Sequence, residues 1–240
     1  QTIKTMTENQ NPFLTAYHTP HQTTPFHLIK TEHFEPAILT GMEEHNREIE
    51  SIIHNPEKPT FANTIVALER SGSLLDRITT VFGNLLSAET NDEMQSIAER
   101  IMPQLTAHSN NINLNADLFA RIKSVYENED KASLNKEEKM LLQNTYDGFI
   151  RSGANLTEEQ KERFRKLSSE LSVLTLKFSQ NNLKEKNSYE LPLTSEQLEG
   201  LPESAMAAYA QTAKEKGKEN YIVTLDAPSY IPFMKYCKNR

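Results

Sequence analysis

Residues 156–187 read LTEEQKERFRKLSSELSVLTLKFSQNNLKEKN, and this stretch decides the fold. Phe164, Leu167, Leu171, Leu174 and Phe178 recur at spacings of three, four, three and four. That recurrence is the apolar stripe of an amphipathic helix, with Glu162, Arg163, Lys166 and Glu170 on its other faces. Thr157 followed by Gln160 fits a capping box at its start, and neither Gly nor Pro interrupts the run as far as Asn187. Roughly seven turns, about 40 Å, are expected. Val173 and Leu176 widen the apolar face beyond a two-stranded seam, which predicts a spine packed against several neighbours.

The segments before the spine are also helical in period. From about Thr31 to His54 the positions Phe34, Ile38, Met42, His45, Ile49 and Ile52 form one stripe, with Pro36 tolerated in the first turn. After a break at residues 55–59, Thr60 caps a second helix with the stripe Phe61, Ile65, Leu68, Gly72, Leu75 and Phe82. Gly72 on that stripe predicts a close helix crossing more than a stop. Thr90 and Glu93 form a further capping box ahead of Met94, Ile97, Ile101, Leu105 and Ile112, and Pro103 should kink or end that helix. A shorter helix carries Leu118, Ile122 and Val125. Asn135 with Glu138 opens another, holding Leu142, Tyr146 and Phe149 and closed by Gly153.

The two ends differ from this pattern. Residues 1–30 are polar and turn-rich, with Pro12, Pro20 and Pro25, and are expected to form an extended arm pinned by Phe26 and Ile29. Beyond the spine, residues 189–193 are short and extended, and Thr194 with Gln197 caps a turn. An alanine-rich helix follows as far as Gly217. Residues 221–225, YIVTL, are the best strand in the chain and could pair with 189–193. The expected architecture is mainly α, a multi-helix bundle with one long amphipathic spine helix and a small β element near the C-terminus. Its parts are an arm (1–30), the bundle (31–187) and a small α+β extension (188–240).

Composition narrows the partners. The chain has 240 residues, 26 Lys and Arg against 33 Asp and Glu, and a formal charge of −7. Without a basic block there is no electrostatic footprint for nucleic acid. No apolar run approaches the ~20 residues of a membrane-spanning helix. Cys237 is the only cysteine, which rules out an intrachain disulfide and a cysteine metal cluster, and leaves cytoplasmic and periplasmic locations both open. Gln1 at the start, and an end soon after Pro232 where a new helix could begin, lead us to expect a fragment of a longer chain.

Candidate chemistry is sparse. None of the seven histidines is followed by Glu, so the helical zinc motif His-Glu-x-x-His is absent. His18 and His21 have ligand-like spacing but lie in the polar arm, where solvent-facing side chains are the expectation. His45, beside Glu43, Glu44 and Glu48, is expected to be a core-edge histidine among solvated carboxylates. Cys237 has no neighbouring base and is expected to be a packed thiol. Tyr221, Tyr230, Phe233 and Tyr236 are expected to pack against the spine. The seven glycines form no phosphate-binding loop, and there is no G-x-S-x-G elbow. From motifs alone the chain has no catalytic, metal-binding or cofactor-binding residue.

Five collinear blocks nevertheless carry a resemblance. They are residues 25–37 (PFHLIKTEHFEPA), 59–65 (PTFANTI), 171–183 (LSVLTLKFSQNNL), 201–205 (LPESA) and 225–234 (LDAPSYIPFM). Together they resemble the N-terminal region of the thimet oligopeptidase family of zinc metallopeptidases, which includes oligopeptidase A and peptidyl-dipeptidase. The blocks through the spine are slightly more similar to the peptidyl-dipeptidase branch, which removes C-terminal dipeptides; around Leu225–Tyr236 they are closer to oligopeptidase A. The resemblance implies a two-lobed, mainly helical enzyme with a channel for short peptides, in which zinc polarises the scissile carbonyl and a motif Glu takes the proton. The family's zinc site lies downstream of all five blocks, so none of its catalytic residues maps onto this chain. The chain would wall the channel, be inactive alone and have as its partner the catalytic region of the same polypeptide. The competing expectation, favoured by composition alone, is a stand-alone acidic helical interaction module.

Overall fold

The computed structural model describes residues 11–239. The chain divides into two compact units, Gln1–Val173 and Leu174–Arg240.

In the first unit, α1 (Phe34–Ile53) is the central helix and packs mainly on α3 (Ser73–Ala88), then on α4 (Asp92–Asn113) and α5 (Ala116–Asn128). The approach of α1 to α3 is close because Gly41 faces Leu75: a Cβ there would stand 3.1 Å from the Leu75 Cα. One buried cluster joins Ile49 and Ile52 of α1 to Phe61, Ile65, Leu118, Ile122 and Val125, and to Leu142 and Phe149 of α6 (Lys136–Arg151). Helix α6 begins and ends as its sequence predicts. The Asn135 side chain accepts from the Glu138 amide at 2.9 Å, and the Glu138 carboxylate accepts from the Asn135 amide at 2.8 Å. At the other end, Gly153 with φ +97° lets the amides of Gly153 and Ala154 reach the carbonyls of Ile150 and Phe149, both at 3.0 Å.

Three expectations change. The helix capped by Thr60 is not continuous: a π-helical segment (Phe61–Val66) and α2 (Ala67–Arg70) stop at Ser71, and Gly72 restarts the chain as α3. Gly72 has φ +71°, a left-handed conformation that side chains resist, so it is both a break and a close contact. Helix α4 runs through Pro103 to Asn113 and does not end there, and its cap is Asn91, whose side chain accepts from the Met94 amide at 2.9 Å. Thr90 instead accepts from the Gln95 side chain. The arm is pinned by Phe13, not Phe26: Phe13 is fully buried, 5.0 Å from the Phe34 ring, whereas Phe26 is 60% exposed. Arg77 holds the Phe13 carbonyl at 2.6 Å.

The long helix α7 spans Glu158–Ser188, 31 residues, opened by the Thr157–Gln160 capping box. Its burial does not follow the predicted stripe. Leu167, Leu171, Leu174 and Phe178 are all more than half exposed, Phe178 at 74%. The buried residue of the helix is Lys161, and Ser168 accepts from Asn110 of α4 at 2.7 Å. The pattern that makes α7 amphipathic is real, but a polar edge of the helix makes this contact, so the expectation of an apolar face packed on several neighbours is corrected.

In the second unit, β1 (Leu191–Leu193) pairs antiparallel with β2 (Tyr221–Val223), Pro192 standing opposite Ile222. This is the small sheet the sequence predicts. Helix α8 (Glu203–Glu215) lies on it and buries Tyr209 with Leu198, Leu201 and Val223. The last helix, α9 (Ala227–Tyr236), starts five residues before Pro232 and contains it.

Candidate functional site

The most organised polar constellation lies in the first unit. His45 is on the α1 stripe between Met42 and Ile49, and His108 takes the same kind of place on α4 between Leu105 and Ile112. Stripe positions turn both rings towards the interior, and the α1–α4 contact brings them together. Nε2 of His108 lies 3.0 Å from Nδ1 of His45, with ring centroids 5.0 Å apart and planes at 59°. The other His45 nitrogen, Nε2, is 3.3 Å from Oγ of Ser71. Ser71 in turn donates to the Leu68 carbonyl at 2.7 Å, and the amide of Gly72 donates to Oε2 of Glu48 at 2.7 Å.

These bonds assign the protons. Ser71 has one hydroxyl proton, committed to the shorter bond with Leu68, so its oxygen accepts from Nε2–H of His45. Nδ1 of His45 is then a lone pair and accepts from Nε2–H of His108. Both rings are neutral in this chain of bonds. Burial holds each below the ordinary imidazole range; the Glu48 carboxylate opposes this at His45, and the neighbouring His45 adds to it at His108. A Ser-His nucleophile needs the serine proton on the imidazole, which this arrangement does not provide. The cleft beside the pair, about 870 Å³, is lined also by Glu69, Arg70, Asp76 and Asn113.

The other candidates are dispersed. His18 and His21 are both exposed, and Cys237 is half-buried against the second unit's apolar cluster, its thiol 3.4 Å from the Gln197 carbonyl. Tyr221 and Phe233 join that same cluster, which contains no residue of α7, while Tyr230 and Tyr236 remain exposed. The expectation that these aromatics pack on the spine is therefore corrected. Sequence reasoning placed His45 at the core edge but missed His108 as its partner. The available signal was a histidine on each of two apolar stripes; a separation of 63 positions along the chain hid the pairing.

Among the described residues no three His, Cys, Asp or Glu side chains are grouped to hold a metal ion. The described residues thus offer no ligand set for the zinc, whose site the resemblance places downstream of the five blocks. Nor is any helix among them long and apolar enough to cross a membrane.

No protein-family model matches the chain. Dipeptidyl carboxypeptidase of Escherichia coli (strain K12) is 37% identical over 232 residues, covering 96% of this chain and 34% of its own length. The same enzyme of Salmonella typhimurium is 38% identical over an equal span, again 96% of this chain and 34% of its own length. Oligopeptidase A of that organism is 30% identical over 231 residues, 96% of this chain and 33% of its own length. What the fold and these relatives define together is a helical region of a peptidase lineage. The chain belongs to the thimet oligopeptidase family and corresponds to an N-terminal region of its members. It spans about a third of the length of the curated relatives it matches.

Proposed function

We propose that this chain is the N-terminal helical region of a zinc metallopeptidase that hydrolyses short peptides, with peptidyl-dipeptidase action preferred over oligopeptidase action. The observation that carries the proposal is similarity along 96% of the chain, at 37% identity to a dipeptidyl carboxypeptidase against 30% for oligopeptidase A. The zinc and its ligands would be supplied from outside residues 1–240, and no catalytic, metal-binding or cofactor-binding role is assigned within them. The chain's own role would be steric: its helices wall a channel, limit substrate size and take part in closure. The open stripe on α7 supports a covering partner, which we take to be the catalytic region of the same polypeptide. Burying a side chain such as Phe178 is worth roughly 1.5–3 kcal/mol.

The test is the full-length gene product. Incubated with N-blocked peptides of four to ten residues, it should release C-terminal dipeptides, read by mass spectrometry, and hold about one zinc per molecule, as single catalytic sites do. Residues 1–240 alone should release nothing. Internal cleavage without dipeptide release would move the assignment to oligopeptidase. A full-length product with neither zinc nor hydrolysis would overturn the proposal and leave a helical interaction module.

A further inference from the structure

The histidine pair stands on a joint. Helix α2 ends at Ser71 and α3 begins after Gly72, whose φ of +71° marks the turn between them. The His45 ring lies directly on that turn: a Cβ at Gly72 would be 2.7 Å from Cε1 of His45 and 2.8 Å from Nδ1. Both residues of the joint are bonded to α1, Ser71 through His45 and Gly72 through Glu48. His108 then ties His45 to α4. Two helices, and the turn that joins two others, therefore meet at two imidazole rings.

We propose that His45 and His108 form an acid-released latch, which holds the α2–α3 joint against α1 and α4 at neutral pH and lets go when both rings are protonated. The device is independent of the peptidase reading, since it needs only the first unit.

The chemistry of the bond gives the device two steps. A hydrogen bond between two imidazole nitrogens needs one N–H and one lone pair. A first proton can be shared: His45 becomes imidazolium, its Nδ1–H turns donor, and His108 moves its remaining proton to Nδ1 so that Nε2 accepts. The contact survives. A second proton removes the last lone pair, leaving two N–H groups facing each other at 3.0 Å and two positive charges in a partly buried place. The charged groups around the pair are Glu48 on α1, Glu69 and Arg70 on α2 and Asp76 on α3; of the α4 residues that line the cleft, His108 is the one titratable group. Glu48 favours the first proton but is committed to the Gly72 amide, so holding a second charge there draws it from the joint it caps. Release consequently frees Ser71 and Gly72 together.

The experiment is hydrogen exchange read by mass spectrometry on the full-length protein between pH 7.5 and 5.0, following peptides that cover residues 67–80. Rates are corrected for the intrinsic pH dependence of amide exchange. Each proton taken up on opening raises the opening equilibrium about tenfold per pH unit, so the latch predicts a slope approaching about 100-fold per unit where the closed pair is still neutral, falling to about tenfold once the closed pair holds its first proton. In His108→Gln the amide keeps a donor near the position of Nε2 without titrating, and the slope should not exceed about tenfold per unit. Equal slopes in the two proteins, or unchanged protection of residues 67–80 down to pH 5.0, would overturn the proposal. Selective ¹⁵N labelling of the imidazoles gives a second readout that needs no variant. The latch requires two coupled titration steps with the nitrogens hydrogen-bonded as assigned above; two independent rings with ordinary titrations would refute it.

Discussion

Replacing Gly72 by alanine tests the joint between α2 and α3 most directly. The methyl group meets two obstacles. Alanine in a left-handed conformation costs about 1–2 kcal/mol, of which roughly 0.4–1 kcal/mol is returned because alanine restricts the unfolded chain more than glycine does. The new Cβ would also lie 2.7–3.0 Å from three atoms of the His45 ring. That ring cannot retreat freely, because it is bonded to His108 at 3.0 Å and Ser71 at 3.3 Å. Displacing it forfeits about 1 kcal/mol for one net hydrogen bond and adds overpacking strain of about 1–3 kcal/mol. These terms overlap, and a total near 2–4 kcal/mol is expected. Gly83 provides the control: it lies within α3, where an added Cβ meets nothing within 4 Å. There the same change should stabilise by about 0.5–1 kcal/mol, the helix-interior penalty of glycine. Urea unfolding at pH 7.5, followed by circular dichroism, compares the two midpoints. If Gly72→Ala falls within about 0.5 kcal/mol of the parent, or if Gly83→Ala destabilises as much, the account of the joint is wrong.

Other expectations follow from single contacts. Asn91→Ala should destabilise by about 1 kcal/mol through loss of the α4 cap, and Thr90→Ala by less than about 0.5, with urea midpoints as the measure. Phe13→Ala should cost about 3–5 kcal/mol and expose the arm to proteolysis, whereas Phe26→Ala should leave both unchanged within about 0.5 kcal/mol. The Arg100 guanidinium grips Glu35 with bonds of 2.6 and 3.1 Å and holds its carboxyl below the usual range. A depressed carboxyl contributes stability above its unfolded pKa of about 4.3, lost as pH falls further, so Arg100→Gln should flatten the acid limb of a stability–pH profile below that point. Phe178→Glu should leave the midpoint of residues 1–240 within about 0.5 kcal/mol but lower that of the full-length protein, where unchanged full-length stability would argue against a covering partner on α7.

Local rules were legible in the chain wherever one or two residues decide the outcome. The caps at Thr60, Asn135, Thr157 and Thr194 formed as read, because a short side chain and a partner three residues on need no tertiary help, while Thr90 lost the α4 cap to its neighbour Asn91. The β1–β2 pairing was equally visible, since two extended segments flank a single helix. Family membership was readable from five blocks that keep their order. Absence of the zinc motif was visible too, because that motif is contiguous in sequence.

What the chain alone could not decide were matters of distance. Periodicity shows that α7 has an apolar face but not whether anything lies against it, and Leu167, Leu171, Leu174 and Phe178 are open. A glycine on a stripe is compatible with a crossing or a break, and only the φ of Gly72 and the ring above it show that both occur. His45 and His108 carry no mutual signal across 63 residues, for a hydrogen bond between distant positions depends on how helices cross. The sequence by itself determined most of the helices, most of their caps and the lineage, all functions of nearby residues or their order. The tertiary structure alone decided which faces meet, and so placed the paired imidazoles on the joint at Gly72.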